Sequence, residues 1–161
     1  MEYPTMLDEF DLAVLKALQE DGRLSNQALA ERVNLSTSPC WRRVRKLEEE
    51  GIIESYTALL NAEKIGLHAL AYIHISMMDH APETLDAFAS FVAENAEVLE
   101  CSSVTGSYDY ILKVIAKDTR AMEQFLMEKL LRMGIVREAN TEVVLQQITK
   151  TTAMPLTGIP G

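Results

Sequence analysis

An α+β chain of two units is what the sequence predicts: a winged-type helix-turn-helix over residues 1–60, then a ferredoxin-like βαββαβ unit over residues 67–151. Three observations predict it. Before residue 51, apolar side chains recur at helical spacing in three segments, each led by an N-capping residue. After residue 66, alternating stretches and helical stripes follow in the order β-α-β-β-α-β. Between the units, Asn61-Ala62-Glu63-Lys64-Ile65-Gly66 reads as a hinge, and residues 152–161 read as a loose tail or an arm onto a neighbour.

Asp8 is the expected N-cap of a first helix to about Glu20, with Phe10, Val14, Leu15 and Leu18 as its apolar side. Asp21-Gly22 stops it, the glycine taking a left-handed conformation. Ser25 caps a short second helix from Asn26 to Val33, with Leu29, Ala30 and Val33 inward. Asparagine visits positive φ readily, so Val33-Asn34-Leu35-Ser36 forms a tight turn into a third helix. The Ser36 hydroxyl is expected to cap that helix, and Pro39 is tolerated because it lies in the first turn. Cys40, Val44 and Leu47 then line one face, against Ser38, Trp41, Arg42 and Arg45 on the other, with Lys46 at its edge. Gly51 closes the helix, and the β-rich run Ile52 to Leu60 is an extended wing or a connector.

In the second unit, Leu70 to Met77 alternates as a half-buried strand does. Pro82 opens a helix to about Glu94, with Leu85, Phe88, Phe91 and Val92 at helical spacing. Val98–Thr105 and Tyr108–Ala116 are strands about a short Gly106-Ser107 turn. Asp118 caps a helix to about Met133, striped by Met122, Phe125, Leu126, Leu130 and Leu131; Gly134 ends it, and Asn140–Thr149 is the last strand. The uncovered sheet face carries apolar residues and is expected to meet a second copy.

A net charge of −9 over 161 residues counts against indiscriminate nucleic-acid binding, yet four of the five residues from Arg42 to Lys46 are basic. Two helices across a short turn, the second with a basic outer face, point to double-stranded DNA. The bland alternative is a solvated amphipathic helix in which Arg45–Glu49 and Lys46–Glu50 are ordinary i,i+4 pairs. The helices in front of the basic one favour DNA. No apolar run approaches the ~18–20 residues that span a bilayer, so no membrane is expected. Met1-Glu2-Tyr3-Pro4 does not read as a leader, and two cysteines without CxxC spacing suggest a reduced cytoplasmic compartment.

Several stretches together resemble the Lrp/AsnC family, the leucine-responsive or feast/famine transcription regulators of bacteria and archaea. They are Leu7-Asp8-Glu9-Phe10-Asp11, Asp21-Gly22-Arg23-Leu24-Ser25, Leu35-Ser36 with Pro39-Cys40, Arg43 to Glu48, and Gly51-Ile52-Ile53. Thr105-Gly106-Ser107-Tyr108-Asp109-Tyr110 resembles the family's C-terminal hairpin motif, and the likeness runs in order over about residues 7–152. The resemblance implies a helix-turn-helix on Asn26 to Arg45, promoter DNA as partner, a small effector that is usually an amino acid, and homodimers assembling into tetramers or octamers. Candidate DNA contacts are Asn26, Gln27, Ser36, Thr37, Ser38, Trp41, Arg42, Arg43, Arg45 and Lys46. Asn34 replaces the family's common glycine, and Trp41 stands where many members carry a smaller aliphatic residue.

An amino-acid ligand needs acceptors for its ammonium and donors for its carboxylate. Thr105, Gly106, Ser107, Tyr108 and Asp109 offer both, Asp109 supplying the carboxylate; read alone, the same residues are also an ordinary hairpin turn. By the likeness, the last strand adds Glu142, Val144 and Gln146 on a single face. Glu142 is acidic where relatives often carry an apolar group.

An enzyme is not expected, since no GxSxG, HExxH, P-loop or GxGxxG occurs, and neither a cofactor nor a metal is expected. His68, His74 and His80 read as isolated structural histidines. A ferredoxin-like RNA binder would need a basic sheet, whereas residues 61–161 carry 8 basic against 13 acidic side chains. The remaining alternative is a DNA-free, amino-acid-binding oligomeric subunit.

Overall fold

A computed structural model describes residues 6–158, so both the leading residues read as carrying no leader and the last three of the tail lie outside it. The chain forms two compact units. One comprises residues up to Leu59 together with those from Thr149 onward, and the other runs from Leu60 to Ile148.

The first unit holds helices α1 (Glu9–Glu20), α2 (Asn26–Arg32) and α3 (Thr37–Glu49). Asp8 starts α1 with a reciprocal capping box: its carboxylate accepts from the Phe10 and Asp11 N–H groups at 2.9 Å, and Asp11 accepts from the Asp8 N–H at 3.2 Å. The stop differs from expectation. Gly22 is not left-handed; Asp21 leaves the helix in extended geometry, and its carboxylate accepts from the Arg23 N–H at 2.9 Å. Ser25 caps α2 by accepting from the Ala28 N–H, and Asn34 turns the chain at φ 56°. Ser36 occupies the cap position of α3, but its hydroxyl makes no capping bond. Pro39 is the reason, because it stands where the third first-turn N–H would be the donor.

Val14, Leu29, Cys40 and Leu47 are buried at the centre of this three-helix unit. After Gly51, the Ile52 and Ile53 N–H groups both bond the Leu47 carbonyl, and residues 54–61 are neither helix nor strand. That stretch is a connector. The tail is no loose arm within the described residues: Gln19 holds the Met154 backbone through both amide atoms, and Leu156 packs against the same core.

The second unit is a four-stranded antiparallel sheet in the order β2-β3-β1-β4, with β1 (Ala69–Met77), β2 (Val98–Ser103), β3 (Tyr110–Ala116) and β4 (Val136–Val143). Helix α4 (Pro82–Glu94) and α5 (Thr119–Gln124) supply its other layer. Ala71, Ile73, Ile75, Leu112 and Val114 form the core with Phe88 and Phe125. Residues expected as a hinge include a 3-10 turn, Glu63–Ile65, ahead of β1, and the Asn61 side chain accepts from the Lys64 N–H at 3.1 Å.

Three expectations need correction. α5 does not continue regularly to Met133; it widens into a π-helical stretch, Phe125–Leu130, and tightens to a 3-10 turn, Leu131–Met133. The wide turn brings Phe125 and Leu130, five apart, onto one buried face. The last strand is not Asn140–Thr149, because β1 supplies partners only from Val136 to Val143 and, after one further bond from the Val144 N–H to Leu70, the ladder ends. The β2–β3 hairpin loop is six residues long, closed by the Val104 N–H to the Asp109 carbonyl at 3.0 Å.

Leu47 is fully buried and its carbonyl anchors the exit from α3. Leu47→Ala is expected to destabilise the first unit by about 2–5 kcal/mol, read as a lower urea midpoint in the fluorescence of Trp41, the chain's single tryptophan.

Candidate functional site

Helix α3 turns Cys40, Val44 and Leu47 into the core and leaves Trp41, Arg42, Arg45 and Lys46 exposed, with Ser36, Thr37 and Ser38 at its exposed start. Trp41 is 46% exposed, with one ring face beside the Arg45 guanidinium. Asn26 and Gln27 are exposed at the start of α2, Gln27 donating to Glu31. The four cations of the basic run have four different surroundings.

Arg43 is the correction among the candidate DNA contacts. Its guanidinium donates to Asp8 and Asp11 at 2.7 Å each and lies over the Phe10 ring at 5.3 Å. Asp11 is only 3% exposed, so Arg43 neutralises a buried carboxylate and ties α3 to α1. The Asp11 and Asp8 carboxylates push the Arg43 pKa up; the Asp11 N–H, with Arg43 beside it, pulls the Asp8 carboxyl down. Sequence spacing showed Arg43 as part of one basic patch because its partners lie more than thirty residues away.

Arg45 donates from Nε and Nη2 to a single oxygen of Glu49, at 3.2 and 2.8 Å, and its Cζ lies 5.5 Å from the Trp41 ring. Lys46 meets Glu50 only at 3.9 Å. Arg42 has no ion-pair partner among the described residues. The connector is pinned nearby, Tyr56 donating its hydroxyl proton to Glu48 at 3.0 Å; burial, reinforced by Glu48, raises that phenol to about 12.

In the second unit the hairpin loop presents Thr105, Gly106 and Ser107 to solvent, with Gly106 at φ 122°, a backbone conformation suited to glycine. Asp109 is more deeply committed than the sequence suggested. Its carboxylate accepts from the Met77 N–H at 2.7 Å and meets His80 Nε2 at 3.0 Å, while its own N–H donates to the Ile75 carbonyl. Those two contacts, the Met77 N–H first, hold its pKa below the usual carboxylate range. The loop is thereby fastened to the end of β1.

Tyr108 belongs to a second cluster, on the sheet face that α4 and α5 leave open. Its ring lies 5.1 Å from His74, its hydroxyl is 3.4 Å from the Asn140 amide, and His74 is 3.7 Å from Glu142. Cross-strand register puts Tyr72 opposite Glu142 and His74 opposite Asn140. His74 and His80 are therefore not isolated, since each faces a carboxylate, and neither they nor Asn140 stand among the candidate site residues that the sequence offers. The alternation of Tyr72, His74 and Ser76 was the available signal. Glu142, Val144 and Gln146 do not share a strand face, since β4 ends at Val143; Gln146 is exposed beyond it. An apolar recess of about 210 Å³, lined by Ala69, Met122, Leu126 and Val143 among others, lies against α5 on the opposite face of the sheet. Among the described residues, no three His, Cys, Asp or Glu side chains are grouped to hold a metal, and no helix is long and apolar enough to cross a membrane.

Residues 7–54 match a family model described as winged helix-turn-helix DNA-binding, and residues 70–154 match the Lrp/AsnC ligand binding domain. The leucine-responsive regulatory protein of Klebsiella pneumoniae is 40% identical over 145 residues, 90% of this chain and 88% of that one; its Escherichia coli K12 counterpart is 39% identical over the same coverage. Among solved structures, a transcriptional regulator of Neisseria meningitidis in complex with L-Met matches with a TM-score of 0.91 at 41% identity, covering 94% of this chain and 98% of that chain. An AsnC family regulator from Agrobacterium tumefaciens matches with a TM-score of 0.88 at 36% identity, over 92% and 97% of the two chains.

Because the folded Asp8 carboxyl sits below its unfolded value, its stabilisation is present above about pH 3.9 and is lost as pH falls through the folded value. Asp8→Asn keeps a capping oxygen but not the titration. Its urea midpoint, followed by Trp41, is expected to fall less steeply below about pH 4 than that of the wild type; equal slopes would assign the acid sensitivity elsewhere.

Proposed function

The chain belongs to the Lrp/AsnC family of transcriptional regulators, and from that premise we propose that it recognises promoter DNA through α3 and adjusts that binding to an amino-acid effector. It is a DNA-binding regulator with a ligand-binding domain. The observation that carries the α3 assignment is the division of labour on that helix: Arg43 docks it, so Trp41, Arg42, Arg45 and Lys46 are left on the exposed side. Arg42, without a carboxylate partner, suits a backbone phosphate, whose charge it neutralises with release of counterions. Ser36, Thr37 and Ser38 add hydroxyls at the start of the helix, and Asn26 and Gln27 suit backbone contacts from α2.

For the effector, the hairpin loop and the Tyr108–His74–Asn140–Glu142 cluster are the supporting features. Thr105, Gly106 and Ser107 offer backbone and hydroxyl groups to a carboxylate. Asp109 retains acceptor capacity beyond its Met77 and His80 bonds, and Glu142 adds a second carboxylate for an ammonium. The L-Met bound by the Neisseria regulator supports an amino acid as the class. Homodimers that associate further, into tetramers or octamers in the cytoplasm, supply the states between which an effector chooses. Ligand and DNA are then coupled through assembly, with no direct contact between them.

Mobility shift of the full-length protein on its own upstream DNA tests this. Arg42→Ala is expected to weaken binding to all sequences and to reduce the slope of log affinity against log salt by about 1. One or more of the amino acids, added in turn, is expected to change the affinity or the size of the complex. Unchanged binding by the double variant Arg42→Ala, Arg45→Ala would remove the α3 assignment.

At Asp109 the structural and ligand roles separate. Asp109→Ala strands the Met77 N–H and is expected to cost about 1–3 kcal/mol in thermal denaturation of the second unit. Asp109→Asn keeps an acceptor, so it is expected to spare the fold yet lose amino-acid binding in calorimetry. Wild-type ligand affinity in Asp109→Asn would confine the residue to its structural role.

A further inference from the structure

Arg45 differs from the other exposed cations of α3 in being held on two sides. Both N–H groups along one edge of its guanidinium go to Glu49 Oε1, and its Cζ sits over the Trp41 ring. Of five guanidinium donors, two are consumed and the end-on fork of Nη1 and Nη2 is left unoccupied by any described residue. That fork is the pair of parallel N–H groups that matches O6 and N7 of guanine in the major groove. The pair is exposed, with the Arg45 and Glu49 side chains 54% and 65% accessible, so it adds little to folding stability. Ser38, Trp41, Arg42 and Arg45 fall at i, i+3, i+4 and i+7, one continuous stripe of the helix.

We infer that Arg45 reads a guanine, and that Glu49 and Trp41 are positioning residues which hold its guanidinium in the reading orientation. The inference rests on the assignment of α3 as the DNA-reading helix. Pre-set geometry matters for a base edge and little for a phosphate. A bidentate contact to O6 and N7 tolerates one orientation of the guanidinium plane, whereas phosphate oxygens accept from many. A side chain biased toward one orientation loses less rotamer freedom on binding. Arg42, free of such partners, is left for the backbone. Glu49 also repels phosphate whatever the sequence, so its removal does not weaken binding to mixed-sequence DNA. Lys46, with Glu50 at 3.9 Å and no planar fork, has neither property.

The test uses the full chain and a duplex enriched from a randomised pool by the wild-type protein. Affinity is measured for that duplex, for each single-base-pair variant of it, for 7-deazaguanine replacements, and for mixed-sequence DNA. Arg45→Ala is expected to erase a preference of about 5- to 100-fold at one G·C pair. Glu49→Ala is expected to reduce the preference at that same pair by about 2- to 10-fold while binding mixed-sequence DNA no more weakly than the wild type. Trp41→Ala should do likewise at that pair, and Trp41→Phe, which keeps a ring face, should restore much of it. Circular dichroism melts identify any variant that has simply unfolded, and Glu49→Gln then serves as the milder substitute. If Glu49→Ala strengthens binding to every sequence alike and leaves the guanine preference intact, the pair is only a solvated i,i+4 contact and the inference fails. It also fails if Arg45→Ala leaves every base preference in place. Loss of all DNA binding only on changes outside α3 would instead overturn the helix assignment beneath it.

Discussion

The DNA-binding unit depends on one buried carboxylate and the guanidinium that neutralises it. Asp11 lies on the inner side of α1, almost wholly removed from water, where an unpaired charge would be untenable. Arg43 reaches it from α3 and binds Asp8 in the same grasp, so the residue that caps α1 and the residue buried beneath it share one partner. Hydrophobic burial of Val14, Leu29, Cys40 and Leu47 drives the helices together but does not by itself fix their rotation. A directional ion pair between α1 and α3 does. The apolar stripe turns Cys40, Val44 and Leu47 inward, and the ion pair holds α3 about that stripe, with Trp41, Arg42 and Arg45 outward.

Asp109 plays the corresponding part in the ligand-binding unit. Opposite Ser76 and Met77 of β1, β4 carries one extra residue, Arg137, and beside this bulge the Met77 N–H finds its acceptor in a side chain. That acceptor is the Asp109 carboxylate, and the hairpin loop is drawn against the end of β1. Both units thus use an aspartate to settle a local polar demand, and in both the settlement positions exposed groups nearby. Part of the Asp109 charge is thereby engaged with His80 and the Met77 N–H.

What the sequence disclosed follows from the range of the interactions concerned. Caps, periodic stripes and turn residues are local, so the three helices, the left-handed Asn34 and the order of strands and helices in the second unit were legible. Ser36 failed as a side-chain cap for a reason also local, the proline three residues on, which had been weighed only for its tolerance. The fate of the four cations was not legible. Arg45 has its partner at i+4, within reach of helical reasoning, but Arg43 is claimed by residues 32 and 35 positions away. The extent of β4 was lost in the same way: Val144 and Leu145 have strand-like character, and β1 continues past Ala71 to Leu70 and Ala69, yet after the single bond from the Val144 N–H to Leu70 the two chains part. A ladder ends where two strands diverge in space, and no property of either strand's own residues announces that point.

The order of the chain adds a consequence for connectivity. It leaves the DNA-binding unit at Leu59, makes the whole ligand-binding unit, and rejoins the first unit at Thr149. Gln19 of α1 then grips the Met154 backbone with both its amide oxygen and its amide nitrogen, and Leu156 enters the α1–α3 core. The ligand-binding unit is therefore tied to its partner unit at both ends, not hung from one linker. Such a return closes a chain loop around the ligand-binding unit, and closing a loop costs chain entropy that the Gln19 and Leu156 contacts must offset. The second tie begins only five residues after β4, the strand that carries Asn140 and Glu142.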